Sequence, residues 1–298
     1  MKRVFCLIAL SFSMAISAIA ARPIAKHVVL IGLDGWGSYS YEKADMPNVK
    51  RLASEGTYTL AKRSVLPSSS AVNWASMFMG AGPEIHGYTE WGSKTPELPS
   101  REVSHYGIFP SIWGLFRDAY PDAEMGYIYE WEGMQYFVEM SAFNFTKQVS
   151  ASEENPRGIT DAAVNYISNA KPAFVGIIFD RPDHEGHEYG HGSPQYFQTL
   201  SMIDSYIGEI IKAVDDAGMT DNTIFIVTSD HGGIDKGHGG KTMQEMETPF
   251  IIAGKGVKRG SIITHSMMQF DVASTLAHIF RISQPQVWIG RPAKQAFK

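Results

Sequence analysis

Cysteine is almost absent from this sequence: Cys6 is the one such residue among 298, and it lies in the first apolar segment. If that segment is removed, the mature chain can form no disulfide bond, so its stability has to come from a hydrophobic core. The composition permits this, since 44% of the residues are hydrophobic and 19% are charged. A chain of this length fits one large globular domain or two small ones.

Long uninterrupted hydrophobic runs are also missing, even at the N-terminus. Residues 1–20 begin with two basic residues, continue with an apolar stretch that three serines dilute, and end in Ala18-Ile19-Ala20. This pattern predicts a secretory signal peptide with an A-x-A cleavage site, and it favours that interpretation over an anchor helix. We therefore expect a secreted or periplasmic protein that has no membrane span after the signal is removed.

The sequence has no excess of positive charge. Its formal net charge is −5, and residues 1–20 contain two basic residues and no acidic one, so removing them gives −5 − 2 = −7. An acidic surface argues against binding to nucleic-acid polymers. No feature of the sequence indicates an oligomeric state.

What the sequence does contain is a regular alternation of apolar and amphipathic segments. The run "KHVVLIGLD" is typical of a buried parallel strand, and "DMPNVKRLASEG" predicts a helix with Asp45 as a possible cap. Further strands are predicted at 123–131, 173–180, "TIFIVTSD" and "PFIIAG", with helices at "DAAVNYISNA", from Ser193-Pro194 to Gly218 and over 271–280. The pattern predicts an α/β fold with a mostly parallel sheet and helices on both faces. Residues 92–160, aromatic-rich and weakly periodic, are expected to form a small capping insertion.

Carboxylates follow three of the predicted strands. Asp34, Asp183 and Asp230 each stand just past the end of a strand. In open parallel sheets, such positions meet at one edge, where ligands bind. Asp34 alone could merely cap the following turn. The interpretation as a ligand site therefore depends on how many such residues follow the predicted strands.

Imidazoles accompany two of these carboxylates. His187 follows Asp183 with three residues between them, and His231 is adjacent to Asp230 in a run (228–240) where five of thirteen residues are glycine. A mixed Asp/His set without cysteine suits zinc, with manganese as the lesser option. A lone pair of this kind is more often a solvated turn, which is how we interpret the neighbouring His184 and His191.

The segment "VLPSSSAVNWASMFMG" predicts a serine at the start of a helix. A helix N-terminus favours an anion through its free N–H groups and its dipole. Ordinary N-capping by serine would leave the same pattern, and composition alone does not separate the two interpretations.

Taken together, "LIGLDG", "LPSSSAVNWASMFMGAGPEIHG", "PDHEGHEYG", "TSDHGG" and "KGHGGKTMQEMETPFIIAGKGV" resemble the alkaline phosphatase superfamily. The resemblance is strongest to its type I phosphodiesterase/nucleotide pyrophosphatase branch. It extends from about residue 27 to 282 in the family's order. It implies that residues 21–298 form a single metal-dependent hydrolase domain with two divalent ions, most simply zinc.

The resemblance also implies the roles of individual residues. One ion would be held by Asp183, His187 and His238, and the other by Asp34, Asp230, His231 and the nucleophile. The family pattern Pro-Thr-x-Thr-x-Pro-Asn aligns with residues 67–73, so Ser70 takes the place of the nucleophile. Asn73 would orient the site or donate to a phosphoryl oxygen, and bonding to the local backbone is an equal alternative.

The implied activity is hydrolysis of a small-molecule phosphate ester through a phosphoseryl intermediate, with preference for phosphodiester or pyrophosphate bonds. Two departures bear on specificity: the nucleophile is serine, and the chain reads "HGYTEWG" where the branch offers an asparagine. Trp91, Tyr88 and Lys241 are candidate substrate contacts, although core packing or plain exposure would explain such residues too.

Three alternatives remain open on the sequence. A phosphate monoesterase would use the same scaffold, and serine is the nucleophile of the monoesterase relatives. A sulfatase is disfavoured, because Ser70-Ala71-Val72-Asn73-Trp74 does not match the sulfatase pattern Cys/Ser-x-Pro-x-Arg. A catalytically silent metal- or anion-binding protein would have lost a ligand or the nucleophile, and none is lost here.

Overall fold

The computed structural model describes residues 22–150 and 155–298. The predicted signal peptide over residues 1–20 lies outside this range and remains an expectation. The strands are β1 (His27–Asp34), β2 (Thr57–Arg63), β3 (Met125–Tyr129), β4 (Phe145–Gln148), β5 (Phe174–Pro182), β6 (Thr223–Ser229), β7 (Glu247–Gly254), β8 (Ser261–Ile262) and β9 (Met267–Met268). The helices are α1 (Pro47–Glu55), α2 (Ser70–Met79), α3 (Pro83–His86), α4 (Ile112–Ala119), α5 (Gly158–Ala170), α6 (Asp183–Tyr189), α7 (Pro194–Asp216), α8 (Met243–Met246) and α9 (Asp271–Phe280).

The strands form one sheet in the order β4-β3-β5-β1-β6-β7-β2-β8, with β9 also paired to β2. Strand β1 is central and runs parallel to both β5 and β6. Strand β7 is antiparallel to its neighbours β6 and β2, and the other described pairings are parallel. The predicted α/β fold with a mostly parallel sheet is confirmed.

Helices cover both faces of the sheet, as the alternation of strands and helices predicts. Along β1, Val28 and Leu30 pack into one core with α2, α4 and α9, whereas Val29 and Ile31 pack into the other with α1, α5 and α7. Successive strand residues point to opposite faces, so a strand buried on both sides reads as an unbroken apolar run. This is why β1 and β6 could be recognised from hydrophobicity alone.

The region expected to cap the sheet is in part the sheet itself. Strand β3 pairs with β5 from Met125 to Tyr129, and β4 extends the same edge. Between α3 and α4, residues 87–111 form irregular chain. Strand β3 coincides with the strand predicted at 123–131, whereas β4 is a further short strand that the sequence did not indicate. A capping role for the rest of residues 92–160 stays a prediction.

The start of α1 is capped from a distant helix rather than by Asp45. The buried Asp204 carboxylate of α7 accepts hydrogen bonds from the Asn48 N–H at 3.0 Å and the Val49 N–H at 2.8 Å. The residue at the cap position is Met46, which makes no side-chain cap bond. A carboxylate at this place satisfies the free N–H groups of the first turn and complements the helix dipole.

None of the described helices is long and apolar enough to cross a membrane.

Replacing Asp204 by alanine should lower the free energy of unfolding by about 2 kcal/mol, because two buried N–H groups lose a charged acceptor. Urea denaturation followed by circular dichroism measures this change. The matched control is Asp216→Ala near the end of the same helix, where the carboxylate pairs with Lys212 and is 59% exposed. We expect that control to change stability by less than about 0.5 kcal/mol. Equal losses in the two variants would contradict the capping role.

Candidate metal centre

Three carboxylates lie together at the carboxyl ends of adjacent strands, as the sequence predicts. Asp34 ends β1, Asp183 is the first residue after β5, and Asp230 directly follows β6. All three are buried, with exposed fractions of 3%, 8% and 0%. Because β5, β1 and β6 are neighbours, residues far apart in sequence meet at one edge of the sheet.

The turn after Asp34 has to be glycine. Gly35 adopts a φ of +71°, and a Cβ atom there would lie 2.6 Å from Asp183 Oδ1. Its N–H donates to Asp230 Oδ1 at 3.1 Å. The missing side chain thus lets the backbone pass between two carboxylates and donate to one of them.

In the segment "DHEGHEY", which forms helix α6, Asp183 and His187 are separated by three residues, so both lie on one face of the helix. Asp183 begins this helix and His187 follows one turn later on the same face, with 3.0 Å between Asp183 Oδ2 and His187 Nε2. From the glycine-rich loop after β6, His238 brings its Nε2 to 3.1 Å from His187 Nε2. The His238 ring also stacks on the His231 ring, with 3.9 Å between centroids.

The three candidate imidazole ligands share one hydrogen-bonding arrangement. Each ring has Nδ1 against a backbone carbonyl: His231 against Gly232 at 2.8 Å, His187 against Lys236 at 3.0 Å, and His238 against Ser68 at 3.1 Å. A carbonyl only accepts, so Nδ1 carries the proton in each case. Each Nε2 therefore faces the carboxylates, and in the neutral ring it offers a lone pair, which is how metal-binding histidines are oriented.

Burial favours neutral rings at two of these histidines. Burial lowers the pKa of His231 to about 4, and it lowers the pKa of His238 to about 4 as well, with the His231 ring as a further cause. A metal ligand has to be unprotonated, so both side chains are prepared for a cation at neutral pH.

The carboxylates respond to burial and to one another. Burial raises the pKa of Asp34 well above its usual range, and the charges of Asp230 and Asp183 raise it further. Burial also raises the pKa of Asp230 to about 7. For Asp183, burial acts in the same direction, but hydrogen bonds from His187 and His191 outweigh it and hold the pKa well below the usual range. A cation among these groups would favour the charged form of each.

These residues fit divalent metal ions. Ligand atoms of Asp183, His231 and His238 all lie within 4.8 Å of one another, and so do those of Asp34, Asp230 and His231. Asp230 Oδ2 is buried and has no hydrogen-bond partner. A buried carboxylate oxygen without a donor is costly, and a bound cation would remove that cost. Nitrogen and carboxylate donors of this kind suit zinc.

Ser70 lies at the edge of this cluster. It is the first residue of α2, and its Oγ is 3.0 Å from His231 Nε2 and 3.3 Å from Asp34 Oδ1. Ser69 occupies the cap position of α2, yet its hydroxyl does not cap the helix. Ser68 instead donates to the Gly240 carbonyl at 2.7 Å. Among these three serines, Ser70 is the one whose hydroxyl contacts the candidate ligands.

The side chain of Asn73 forms hydrogen bonds with the local backbone. Its side chain is fully buried; Oδ1 accepts from the Val65 N–H at 2.8 Å, and Nδ2 donates to the carbonyls of Val65, Pro67 and Ser69 at 3.0–3.2 Å. These bonds use its two N–H groups, which agrees with the alternative of bonding to the local backbone, and a catalytic role of Asn73 stays a prediction. The side chain fixes the loop that leads to Ser70.

The three candidate substrate contacts differ in placement. Trp91 is 65% exposed and lines a cavity of about 310 Å³ together with Glu90, His187 and His238. Tyr88 is buried, donates to the Tyr136 carbonyl at 3.0 Å and packs in the core, so the prediction that it contacts substrate is wrong. Lys241 is exposed, and its role stays a prediction.

His191 was interpreted as a bystander, and the structure corrects this. Its side chain is fully buried, with Nε2 3.1 Å from Asp183 Oδ1. Its ring fills the space beside Gly186 and Gly233, where a Cβ atom would lie within 2.4 Å of it. In the sequence, these two glycines and the histidine-rich run were the features that could have indicated a role for His191. His184 is exposed and lies 3.7 Å from Glu188, away from the cluster, in line with a bystander.

Two further contacts could not be found from the sequence. Trp74 Nε1–H donates to Asp34 Oδ2 at 2.9 Å, and the Tyr196 hydroxyl donates to the Gly35 carbonyl at 2.8 Å. Both side chains lie in apolar helical patterns, where an aromatic residue reads as core. Their polar atoms nevertheless fix the turn that contains Asp34.

In the metal-free protein, the hydrogen bond to Asp183 raises the pKa of His187 to about 9. Replacing Asp183 by asparagine should return this pKa toward about 6.5, whereas Asp118→Asn, beside the exposed His105, should leave it unchanged. Proton NMR of the imidazole over pH 5–10 measures the shift. Because the folded pKa is the higher one, this pair stabilises the apo fold fully below about 6.5 and loses its effect through 9. An unshifted His187 in the Asp183 variant would contradict the pairing.

Comparison with known proteins places this geometry in context. Over 214 residues, the chain is 24% identical to venom phosphodiesterase 2 from Crotalus adamanteus, covering 69% of this chain and 26% of the relative. Over 220 residues, it is 24% identical to ectonucleotide pyrophosphatase/phosphodiesterase family member 1 from Mus musculus, covering 68% and 24%. The chain thus spans about a quarter of the length of these relatives.

Solved structures share the fold at low identity. Murine ectonucleotide pyrophosphatase/phosphodiesterase 5, in an inactive form with AMP, superposes with a TM-score of 0.71 at 16% identity, covering 87% of this chain and 96% of that one. A sulfatase structure from Bacteroides thetaiotaomicron gives 0.73 at 16% identity, covering 93% and 75%. The sequence profile of type I phosphodiesterase/nucleotide pyrophosphatase matches residues 28–250. Since that match spans most of the chain, the protein belongs to the type I phosphodiesterase/nucleotide pyrophosphatase family.

Proposed function

We propose that this chain is an exported hydrolase that cleaves phosphoric esters with two divalent metal ions and Ser70 as the nucleophile. Its preferred targets are phosphodiester or pyrophosphate bonds of nucleotides or similar small molecules. The observation that supports this best is the Ser70 hydroxyl, which lies 3.0 Å from His231 Nε2 at the start of α2. Export rests on the signal-like pattern of residues 1–20.

The donor set divides into two groups in this proposal. Asp183, His187 and His238 hold one ion, and Asp34, Asp230, His231 and Ser70 hold the other. When bound, the two ions activate the Ser70 hydroxyl and stabilise the charge on the oxygens that attack and leave. Zinc is the ion that best suits this mixture, and manganese is the second choice.

Ser70 then performs a two-step displacement. Its oxygen forms a bond to phosphorus while the bond from phosphorus to the leaving oxygen breaks, and the leaving group takes up a proton. In the second step, a water oxygen attacks phosphorus from the opposite side, the bond from phosphorus to Ser70 Oγ breaks, and a proton of that water passes to Ser70 Oγ as the phosphate product leaves. No side-chain base beyond the cluster is required.

The N-terminus of α2 serves the negatively charged phosphoryl group. The first N–H groups of a helix have no intrahelical acceptor, and the helix dipole places positive charge there. Because the Ser69 hydroxyl does not cap α2, it leaves these donors free for phosphoryl oxygens. Asn73 holds the loop that precedes Ser70 through its bonds to the carbonyls of Val65, Pro67 and Ser69.

Trp91 serves the leaving group in this proposal. Its exposed ring stands on the wall of the cavity that His187 and His238 also line. An exposed aromatic face beside a phosphoryl site is suited to stacking on a nucleobase. This supports an aromatic ester group over a small aliphatic one.

Phosphate monoester hydrolysis is the second candidate. The buried Tyr88 and the exposed Glu90 and Trp91 occupy the stretch in which the branch offers an asparagine. None of them supplies an equivalent amide donor for a diester oxygen. Serine as nucleophile also agrees with the monoesterase relatives.

Rates of the zinc-loaded protein on p-nitrophenyl phosphate, bis-p-nitrophenyl phosphate and p-nitrophenyl sulfate separate these activities. We expect the diester to react fastest. Ser70→Ala should lower that rate by at least about a thousandfold while the protein still binds zinc, whereas Asp183→Ala should lose both activity and zinc. A faster monoester or sulfate would keep the nucleophile and change the substrate class. Absence of turnover with bound zinc would favour a silent binding protein, and full activity of Ser70→Ala would exclude Ser70 as nucleophile.

Replacing Trp91 by alanine should raise KM for the p-nitrophenyl ester of thymidine 5′-monophosphate roughly tenfold, because stacking on a base contributes about 1–3 kcal/mol. KM for methyl p-nitrophenyl phosphate, which lacks a base, should change less than about twofold. Leu98→Ala, at an exposed apolar residue outside the cavity lining, is the control. Equal effects on both esters would contradict a base-stacking role.

A further inference from the structure

A buried lysine lies behind the candidate metal centre. Lys62 on β2 is completely buried, and its Nζ donates to the Ser229 carbonyl at 2.7 Å and to the side-chain carbonyl of Gln269. Since β7 lies between β2 and β6 in the sheet, the side chain reaches past one strand to the end of another. The pairing of β2 with β7 shifts register between Thr59 and Lys62, and Lys62 itself pairs with Thr248. A bulge of this kind changes the face to which the next residue of the strand points.

Gln269 continues this contact to the next residue of the turn. Its Nε2 donates to the Asp230 carbonyl at 2.9 Å and lies 3.3 Å from the Ser229 carbonyl. The Ser64 hydroxyl donates to the Asp230 carbonyl at 2.6 Å. The Ser229 carbonyl is therefore held by Lys62 of β2. The Asp230 carbonyl is held by Ser64, which directly follows β2, and by Gln269, which directly follows β9.

Burying the side chain of Lys62 costs free energy. A lysine seldom lies fully inside a protein, because its amine loses hydration there. The nearest acidic groups that act on it are Asp230 and Asp271, and neither forms a salt bridge with it among the described ion pairs. Its hydrogen bonds go instead to a backbone carbonyl and an amide, and an amine can donate both bonds in either protonation state.

The carbonyls that it holds belong to the segment where Asp230 and His231 leave the sheet. The backbone of β6 is paired with β1 as far as Ser229, so the next two residues have no strand partner. Their side chains nevertheless need a fixed direction. Asp230 Oδ2 has no hydrogen-bond partner and lies 3.3 Å from His231 Nε2, which in turn lies 3.4 Å from Asp34 Oδ1. Contacts outside the ligand set normally orient metal ligands in this way.

We propose that Lys62 and Gln269 are positioning residues, which hold the Ser229 and Asp230 carbonyls so that Asp230 and His231 face one metal ion. The inference rests on the metal centre in the proposed function. It concerns the ion held by Asp34, Asp230 and His231, and it leaves the ligand pair Asp183 and His187 on α6 unaffected.

Zinc affinity of Lys62→Met tests the proposal. Methionine keeps an unbranched side chain of similar length and removes both donated bonds. Competition with a chromogenic chelator should show one of two zinc equivalents weakened roughly tenfold or more, and the other within about twofold. At saturating zinc, KM for the diester should stay within about twofold while kcat falls.

The matched control is Thr248→Val. Thr248 is buried on β7 directly opposite Lys62, and its hydroxyl has no partner. We expect it to leave both zinc affinities and kcat unchanged. Thermal unfolding of the apo proteins shows whether either variant perturbs the fold. Equal weakening of both zinc equivalents in the two variants, or unchanged affinities in Lys62→Met, would overturn the proposal.

A second-site variant separates positioning from packing. In Lys62→Met/Gln269→Lys, an amine reaches the same carbonyls from the opposite side, and it should restore at least half of the lost zinc affinity on a logarithmic scale. Should Lys62→Met fail to fold, Gln269→Leu tests the same contact, with the same weakening of one equivalent expected. No recovery in the double variant, or no effect of Gln269→Leu, would overturn the proposal. Wild-type protein that binds zinc without hydrolysing any ester would refute the proposed function and leave this test standing.

Discussion

The electrostatic repulsion among three buried carboxylates is the constraint on which the rest of the site depends. Asp34, Asp183 and Asp230 are brought together because three neighbouring parallel strands end at the same edge of the sheet. Like charges at such distances in a weakly solvated place are unfavourable. Burial is the largest cause of the raised pKa values of Asp34 and Asp230, and the charges of the neighbouring carboxylates raise both pKa values further. A site of this kind is stable only if cations or protons balance it, and the neutral rings of His231 and His238 favour cations.

The surrounding residues prevent the cluster from relaxing. Trp74 fixes one oxygen of Asp34, the Gly35 N–H fixes one oxygen of Asp230, and His191 contacts one oxygen of Asp183. Each carboxylate therefore has at least one oxygen held by a group outside the candidate ligand set. Backbone carbonyls likewise hold Nδ1 of each candidate histidine. The arrangement fixes directions before any ion binds, which lowers the reorganisation that binding requires.

Much of the fold and of the candidate site could be predicted from the sequence, and there is a physical reason why the rest could not. The apolar run of β1, the helical spacing of α7 and the strand-end position of Asp230 are local patterns, so the fold and the cluster of carboxylates follow from them. His238 and the grouping of the ligands were implied only by the family resemblance. The cap on α1 comes from Asp204, more than 150 residues away along the chain, and no local pattern announces it.

The second limit of prediction from the sequence was the direction of side chains in irregular or polar segments. Tyr88 and Asn73 stood near the right motifs, but their contacts depend on how loops fold back, which residue types do not specify. His191 was misjudged for the same reason. Lys62 lies in "TYTLAKR", where a lysine normally indicates the solvent side, and only the irregular pairing with β7 turns it inward.

Ser70, the proposed nucleophile, and the candidate ligand His238 lie on two loops that are hydrogen-bonded to each other, and this bears on where substrate specificity can vary. Ser68 accepts the Nδ1 proton of His238 on its carbonyl and donates its hydroxyl proton to the Gly240 carbonyl. The loop before α2 and the glycine-rich loop after β6 therefore hold one another, and a change in either would move both Ser70 and His238. Of the residues that line the adjacent cavity, Glu90 and Trp91 are outside these two loops and outside α6. They form the part of the wall that can change without disturbing the metal ligands, so substrate preference within this fold should be determined there.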